Sequence, residues 1–133
     1  MLYRKLLIPI LLITGVFMMA YAADNAKDEQ SGVLRHVVCF KFKDDAPQEQ
    51  VDQVVQAFAD LKNKIPQIVD FEWGTNNSPE NLNQDFTHCF LLTFKSEEDR
   101  DAYLPHPDHK AFGRQLGPVL DKVFVIDYWA KSN

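Results

Sequence analysis

Hydrophobic and polar residues alternate from Leu34 to Lys43, which is the pattern of a half-buried β-strand. One face of this predicted strand carries an imidazole and three apolar side chains: His36, Val38, Phe40 and Phe42. The other face carries Val37, Cys39 and Lys41. Similar patterns predict three further strands, at about 68–74, 86–95 and 123–129.

Two other segments have apolar residues at three- and four-residue steps, as in amphipathic helices. The first runs from about Pro47 to Lys64, with Asp44 and Asp45 as candidate capping residues and the proline in the first turn. The second is predicted to begin after an N-cap at Ser96, to break at the prolines 105 and 107, and to resume over 108–116.

These elements follow one another in the order β-α-β-β-α-β, which predicts an α+β fold of the ferredoxin-like type. Four antiparallel strands would form one sheet, with the helices on one of its faces. The other face would be bare, and it would carry Cys39 and Cys89. Because an uncovered apolar face in so small a domain calls for a partner, we expect a homodimer that packs through its sheet faces into a dimeric α/β barrel.

The N-terminal residues predict export. Arg4 and Lys5 precede an apolar run, and Ala20-Tyr21-Ala22 is a small-x-small sequence of the kind that signal peptidase cleaves. An uncleaved anchor is the alternative. The prediction is a signal peptide at 1–22, a flexible polar leader at 23–32 and a single domain at 33–130, in a periplasmic or secreted protein without stable membrane association after cleavage.

Charge and cysteine content narrow the possible partners. The chain has a net charge of −5, and cleavage would also remove Arg4 and Lys5, so a nucleic acid partner is disfavoured. The chain has two cysteines, Cys39 and Cys89, which share one face of the predicted sheet. They could pair in an exported protein, but buried free thiols are the favoured interpretation because pairing demands close Cα spacing.

The histidines indicate acid/base chemistry. His36 and His88 each lie at the start of a predicted strand, and His106 and His109 follow Tyr103 in Tyr-Leu-Pro-His-Pro-Asp-His. Imidazole titrates near neutral pH, and a phenol donates or accepts a hydrogen bond. His106 lies between two prolines, so we expect it to shape the loop. Four histidines could also bind zinc or copper, but their spacing does not favour a metal site.

Four ordered motifs resemble the stress-responsive dimeric α/β-barrel (Dabb) family, over about 34–129. They are Leu34-Arg-His-Val-Val-Cys-Phe-Lys-Phe-Lys, Trp73-Gly-Thr-Asn-Asn-Ser-Pro-Glu, Phe86-Thr-His and the Tyr103–His109 segment. The resemblance implies the fold given above. It also implies a comparison with plant polyketide cyclases, in which a tyrosine and a histidine close a ring without a cofactor.

The resemblance assigns the catalytic pair to Tyr103 and His109, and two substrate-binding histidines to His36 and His88. It implies no cofactor. His109 would remove a proton while Tyr103 holds the oxygen that gains charge. We expect an apolar cavity between sheet and helices that binds a small hydrophobic, oxygen-bearing molecule. Two alternatives stay open: a non-catalytic ligand-binding barrel and a cofactor-free oxygenase.

Overall fold

The structure, a computed structural model, describes residues 32–131. The predicted signal peptide and residues 23–31 of the predicted leader lie outside this range. Within these residues, four strands and three helices follow one another: β1 (Leu34–Phe42), α1 (Gln48–Lys64), β2 (Asp70–Thr75), β3 (His88–Phe94), α2 (Glu97–Tyr103), α3 (Pro107–Leu116) and β4 (Leu120–Trp129).

The four strands form one antiparallel sheet in the order β2-β3-β1-β4. This confirms the predicted ferredoxin-like fold, with the second helix divided into α2 and α3 at the prolines. β1 lies in the middle and pairs with both β3 and β4, so residues distant in sequence become neighbours. In this register His36 lies opposite Leu92 on one side and Asp127 on the other.

The core lies between the sheet and the helices, and aromatic rings fill much of it. Phe58 of α1 stacks on Phe112 of α3, with ring centroids 4.4 Å apart, and contacts Phe90 of β3 at 4.7 Å. The apolar stripe of α1 is buried as its spacing predicts: Val51, Val54, Val55, Phe58 and Leu61. Aromatic pairs of this kind add to the stability that apolar burial supplies, so they fix the helices on the sheet.

The two helix starts differ in how well the sequence predicts them. Ser96 caps α2 as expected, because its side chain accepts a hydrogen bond from the Asp99 backbone N–H at 3.1 Å. The predicted acidic cap of α1 is wrong. Pro47 itself is the N-cap residue and has no side-chain cap bond. A turn closed by the Ala46 N–H on the Lys43 carbonyl keeps Asp44 and Asp45 ahead of the helix.

The sheet face away from the helices is bare, as predicted. On β4 it presents Phe124, Ile126 and Tyr128, each about half exposed. Cys39 and Cys89 also lie on this face as free thiols, but Cys89 is exposed, so the expectation that both thiols are buried is wrong. Within residues 32–131 no helix has both the length and the apolar character needed to cross a bilayer.

β4 differs from the prediction because it is open on both faces. Val123 and Val125 point to the helix side, in register with Phe40 and Val38, yet each is about half exposed. β4 is an edge strand of the sheet, and its contacts with other elements are chiefly with β1. The helix layer therefore leaves an apolar ledge, formed by Val123 and Val125, along this edge.

Candidate active site

A short turn between α2 and α3 brings two of the predicted residues together. Tyr103 is the last residue of α2, and His109 lies in the first turn of α3. Their ring centroids are 4.3 Å apart. His106 lies between them in sequence and has a structural role, since its Nδ1 accepts a hydrogen bond from the Asp108 backbone N–H at 3.2 Å and caps α3. The expected loop-shaping histidine is thus a helix cap.

One hydrogen bond determines how the His109 ring can act. Its Nδ1 lies 2.9 Å from the Leu104 carbonyl oxygen, which only accepts, so Nδ1 carries the proton. Nε2 of the neutral ring is then the acceptor. Partial burial lowers the pKa of His109, against the opposing effect of the Leu104 carbonyl, and the neighbouring His36 and His106 lower it further. His109 is accordingly a neutral base at physiological pH.

The Tyr103 hydroxyl is buried and has no hydrogen-bond partner within the described chain. The side chain is 0% exposed. Burial raises the pKa of this phenol, and the negative charge of Asp127 raises it further. Tyr103 therefore keeps its proton at neutral pH and acts as a donor. Buried hydroxyls in proteins are nearly always paired, so this donor is available to an acceptor from outside residues 32–131.

His36 completes the cluster from the sheet side. It is 5% exposed, and its ring centroid lies 5.8 Å from that of Tyr103. Its Nδ1 donates to Asp127 Oδ1 at 2.6 Å, and Asp127 Oδ2 accepts from Arg100 at 2.9 Å. The carboxylate thus fixes the His36 ring and is itself held by a cation. We refer to Tyr103, His109 and His36 as the Tyr-His cluster.

Sequence reasoning missed Asp127 and Arg100. A signal for Asp127 was present, since it is a lone acid in the otherwise apolar run Val-Phe-Val-Ile-Asp-Tyr-Trp, on the same face as Val123 and Val125. A charge at such a position is rarely tolerated without a partner. Arg100 lies three residues before Tyr103, on the same side of α2.

His88 does not join this cluster. It pairs with Phe40, four residues along β1 from His36, a separation of about 13 Å at the rise of a strand. Its ring makes an edge contact with Phe42 at 5.0 Å, and its Nδ1 is 2.9 Å from the Thr87 hydroxyl. Partial burial lowers the pKa of His88. Its substrate-binding role stays a prediction, and any such role is at a different place from Tyr103.

One cavity of the described residues lies away from the expected position between sheet and helices. A cavity of about 780 Å³ lies on the bare sheet face, and its lining includes Cys39, Cys89, Phe124 and Tyr128, with His88 at its edge. On the helix side the stacked rings of Phe58 and Phe112 occupy the middle of the space. The Tyr-His cluster instead lies toward β4, where the helix layer ends.

Three residues of the cluster therefore form a donor, an acceptor and an anchored imidazole on the helix side of the sheet. The arrangement can donate a hydrogen bond to an oxygen atom and remove a proton from a neighbouring atom. Within residues 32–131 no three side chains of the His, Cys, Asp and Glu types form a metal site. The chemistry that the Tyr-His cluster can supply directly is proton transfer.

Comparison with known proteins identifies the family. The model of the stress-responsive A/B barrel domain matches residues 34–130. The chain therefore belongs to this family, the Dabb family. The match runs from the first residue of β1 to one residue beyond β4, so it covers the whole described fold and confirms the resemblance stated from the sequence.

Two relatives by sequence are plant proteins. The stress-response A/B barrel domain-containing protein HS1 of Arabidopsis thaliana is 40% identical over 101 residues, covering 76% of this chain and 93% of the relative. The olivetolic acid cyclase of Cannabis sativa is 30% identical over 95 residues, covering 71% and 94%. The family thus includes at least one enzyme that is similar to this Dabb domain over nearly its full length.

Solved structures agree with this assignment. A hydroxynitrile lyase from Passiflora edulis superposes with a TM-score of 0.72 at 28% identity, covering 77% of this chain and 96% of that chain. A dimeric ferredoxin-like protein of unknown function from Bacteroides fragilis gives a TM-score of 0.61 at 29% identity, covering 74% and 97%. The Dabb domain therefore shares its fold with a cyclase relative, a lyase and a dimeric protein.

Proposed function

We propose that this Dabb domain is an exported protein that binds a small hydrophobic, oxygen-bearing molecule and catalyses acid/base chemistry on it without a cofactor. The observation that carries the proposal is the free, buried Tyr103 hydroxyl beside the neutral His109 ring. The relatives named cyclase and lyase support it, since both are enzymes on this fold.

The roles of Tyr103 and His109 follow from their protonation states. Tyr103 donates its hydrogen bond to a carbonyl oxygen and stabilises the negative charge that develops there. His109 Nε2 removes a proton, either from the carbon next to that carbonyl or from a hydroxyl group. The same pair serves ring closure between two carbon atoms and the reverse cleavage, because both need an oxygen stabilised and a proton moved.

The His36–Asp127–Arg100 chain supports this pair without supplying the base. Asp127 orients His36, whose ring packs edge-on against Tyr103. The same carboxylate disfavours a phenolate at position 103, so the tyrosine stays a donor.

The ledge of Val123 and Val125 explains the hydrophobic part of the proposed ligand. Both side chains lie on the helix side of β4, two and four residues before Asp127, and each is about half exposed. An apolar ring or chain lying on this ledge would place its oxygen-bearing end near Asp127 and the Tyr-His cluster. Burying about 80 Å² of apolar surface there would contribute about 2 kcal/mol to binding.

The experiment is a turnover assay with two compounds, mandelonitrile as an aromatic hydroxynitrile and a linear aromatic β-polyketone. We expect the wild-type protein to turn over at least one of them. Tyr103→Phe should lower kcat about 10²- to 10³-fold, because it removes the donor and keeps the ring. Binding, followed by calorimetry, should change little.

His106→Asn is the matched control for this assay. Asparagine is a good N-cap residue, so the start of α3 should be preserved although an imidazole of the same motif is lost. We expect unchanged turnover. Binding of either compound with no turnover at any pH from about 5 to about 9 would contradict catalysis and leave the ligand-binding barrel as the function. Consumption of oxygen during turnover would instead support the oxygenase alternative.

Export is the part of the proposal that rests on the first 22 residues alone. The charged start at Arg4 and Lys5, the apolar run and the small residues before Ala23 support it. Mass spectrometry of the protein isolated from its own host is expected to give a chain that begins at Ala23. A chain that retains Met1 would contradict export by cleavage.

A homodimer is the assembly that the bare sheet face supports. Phe124, Ile126 and Tyr128 form an exposed apolar strip on that face. The Bacteroides fragilis relative is dimeric with the same fold. Face-to-face packing of two copies would bury this strip and close the cavity of about 780 Å³ between the sheets. The Tyr-His cluster lies on the other side of the sheet and stays within one subunit.

A further inference from the structure

Two cysteines face each other across neighbouring strands on the bare side of the sheet. Cys39 of β1 is the direct register partner of Cys89 of β3. Directly opposite residues in an antiparallel sheet project their side chains from the same face. Both thiols are free, and both line the cavity of about 780 Å³. Neither takes part in the proposed acid/base chemistry.

The hydrogen-bond pattern of the sheet gives the spacing of this pair. The Ala130 N–H donates to the Val33 carbonyl at 2.9 Å, so the Val33 carbonyl points toward β4. Backbone polar groups alternate in direction along a strand, so six residues further on those of Cys39 also point toward β4, where its register partner is Phe124. They do not point toward β3. Cys39 and Cys89 are therefore a non-hydrogen-bonded pair, the class with Cα atoms about 4.5 Å apart.

A disulfide needs Cα atoms about 4.4–6.8 Å apart and Cβ atoms about 3.5–4.5 Å apart. A non-hydrogen-bonded cross-strand pair meets the Cα condition, and its Cβ atoms, about 4.5 Å apart, lie at the upper limit of the second condition. The sheet is already paired at this point, so a bond between the thiols would preserve the fold.

The two thiols differ in their surroundings. Gly74 lies beside Cys89 and has no side chain, and a Cβ at that position would meet nothing within 4 Å. Cys89 is accordingly exposed, whereas Cys39 lies next to Phe124 and is partly buried. Burial and then the neighbouring Cys89 thiol raise the pKa of Cys39 to about 11. An incoming reagent meets Cys89 first.

We propose that Cys39 and Cys89 form a redox-active cross-strand dithiol, which small organic disulfides oxidise to an intramolecular disulfide between β1 and β3. The Cys89 thiolate attacks one sulfur of the reagent, the reagent's S–S bond breaks, and one thiolate leaves and takes up a proton. The Cys39 thiolate then attacks the Cys89 sulfur and releases the second thiol. The protein loses two electrons and two protons, and the reagent is reduced to two thiols.

The cavity gives this chemistry the room it needs. Its volume of about 780 Å³ adjoins both sulfurs, and the loop that ends at Thr87 forms part of its rim. In a homodimer that packs through this face, the dithiol lies in the space between the two sheets. The reagent must then be small and uncharged, which selects 2-hydroxyethyl disulfide as the probe.

The test is a redox titration of the full-length native protein in buffers of 2-mercaptoethanol and 2-hydroxyethyl disulfide. The products are trapped by thiol alkylation and identified by mass spectrometry. We expect the wild-type chain to lose two hydrogen atoms, to resist alkylation at both cysteines and to run as a single chain on a non-reducing gel.

The single variants separate the two roles. Cys39→Ser should stop at a mixed disulfide on Cys89, because the second thiol is missing. Cys89→Ser should react with the probe at least about tenfold more slowly, because the remaining thiol is both partly buried and protonated. The lifetime of the wild-type mixed disulfide should shorten about tenfold per pH unit between about pH 7 and about pH 9, as more of Cys39 becomes thiolate.

Three results would overturn the proposal. The first is a wild-type chain that keeps two alkylatable thiols in excess probe. The second is a disulfide that joins two chains. The third is oxidation only under conditions that unfold the protein, monitored by circular dichroism of the same samples. Serine differs from cysteine by one atom and both sites lie on a partly open face, so both variants are expected to fold.

Discussion

Tyr103 and His109 owe their protonation states to different neighbours. Burial and the Asp127 charge keep Tyr103 protonated. At His109 burial keeps the ring neutral, and the Leu104 carbonyl fixes its proton on Nδ1. The sequence could predict that the two residues meet, because only a short proline-bounded turn separates them. It could not predict Asp127, because that contact joins residues 91 positions apart through the pairing of β1 with β4.

The low pKa of His109 predicts how stability depends on pH. The folded pKa lies below the ordinary value of 6.5, so below about pH 6.5 the unfolded chain binds protons that the folded chain does not. The contribution of His109 to the free energy of unfolding should therefore fall as the pH falls from about 6.5 through the folded pKa, and then level off. Urea denaturation at a series of pH values across this range would measure the free energy of unfolding.

His109→Gln is the comparison for that measurement. Glutamine does not titrate, so the free energy of unfolding of this variant should fall less steeply as the pH falls below about 6.5. The fall that remains in this range is due to His88, whose pKa is also lowered by burial. In proton NMR the wild-type His109 ring should titrate below 6.5. A ring that titrates above 6.5 would contradict the assignment of a neutral base.

Asp127 provides a second prediction at the residue scale. Asp127→Asn weakens the bonds to His36 and Arg100, both of which are partly or fully buried, so the free energy of unfolding should fall by about 1.5–3 kcal/mol. Asp101→Asn is the matched control, because Asp101 also pairs with Arg100 but its side chain is 64% exposed, against 22% for Asp127. The control should cost less than about 1 kcal/mol. Equal losses in the two variants would contradict the buried chain of contacts.

At the scale of helices and strands, local rules predicted most boundaries to within one or two residues. Ser96 with three acids behind it predicted the start of α2, and the prolines predicted the break before α3. The predicted acidic cap of α1 was wrong, because a turn at 43–46 keeps both acids ahead of the helix. The openness of β4 on both faces was also missed, since its apolar sequence does not show how far the helix layer extends.

The cap of α2 gives a prediction at this scale. Ser96→Ala removes the acceptor for the Asp99 N–H, so the free energy of unfolding should fall by about 1 kcal/mol. Because α2 ends at Tyr103, fraying of this helix would also lower the turnover. Ser78→Ala, in the exposed loop before β3, is the control and should change stability by less than about 0.5 kcal/mol. A loss at Ser96 no larger than at Ser78 would show that the cap does not stabilise the helix.

The whole molecule divides its functions between the two faces of one sheet. The Tyr-His cluster lies on the helix side, and the apolar strip, the large cavity and the dithiol lie on the other side. The strand alternation predicted this division, including a bare face that calls for a partner. It did not reveal the cavity on the bare face, because periodicity assigns residues to a face but does not show which spaces the aromatic rings fill.

The proposed dimer gives the prediction at this scale. Ile126→Lys puts a charge on the bare face, so the dimer should dissociate with a Kd at least about 100-fold weaker, as sedimentation equilibrium would measure. Val125→Lys is the matched control. Val125 is the next residue along β4 and is 50% exposed, but its side chain lies on the helix side, so this variant should leave the dimer intact. If only Val125→Lys dissociates the dimer, the interface lies on the helix side and the proposal of a dimer through the bare face is wrong.

The most direct test of the central claim is a double-mutant cycle on kcat with Tyr103→Phe, His109→Gln and the double variant, using the compound that the wild-type protein turns over. If phenol and imidazole act on the same substrate in one step, the double variant should lose no more than about the larger single loss. Losses that multiply, or single variants with wild-type kcat, would contradict the account of Tyr103 and His109 as one catalytic pair.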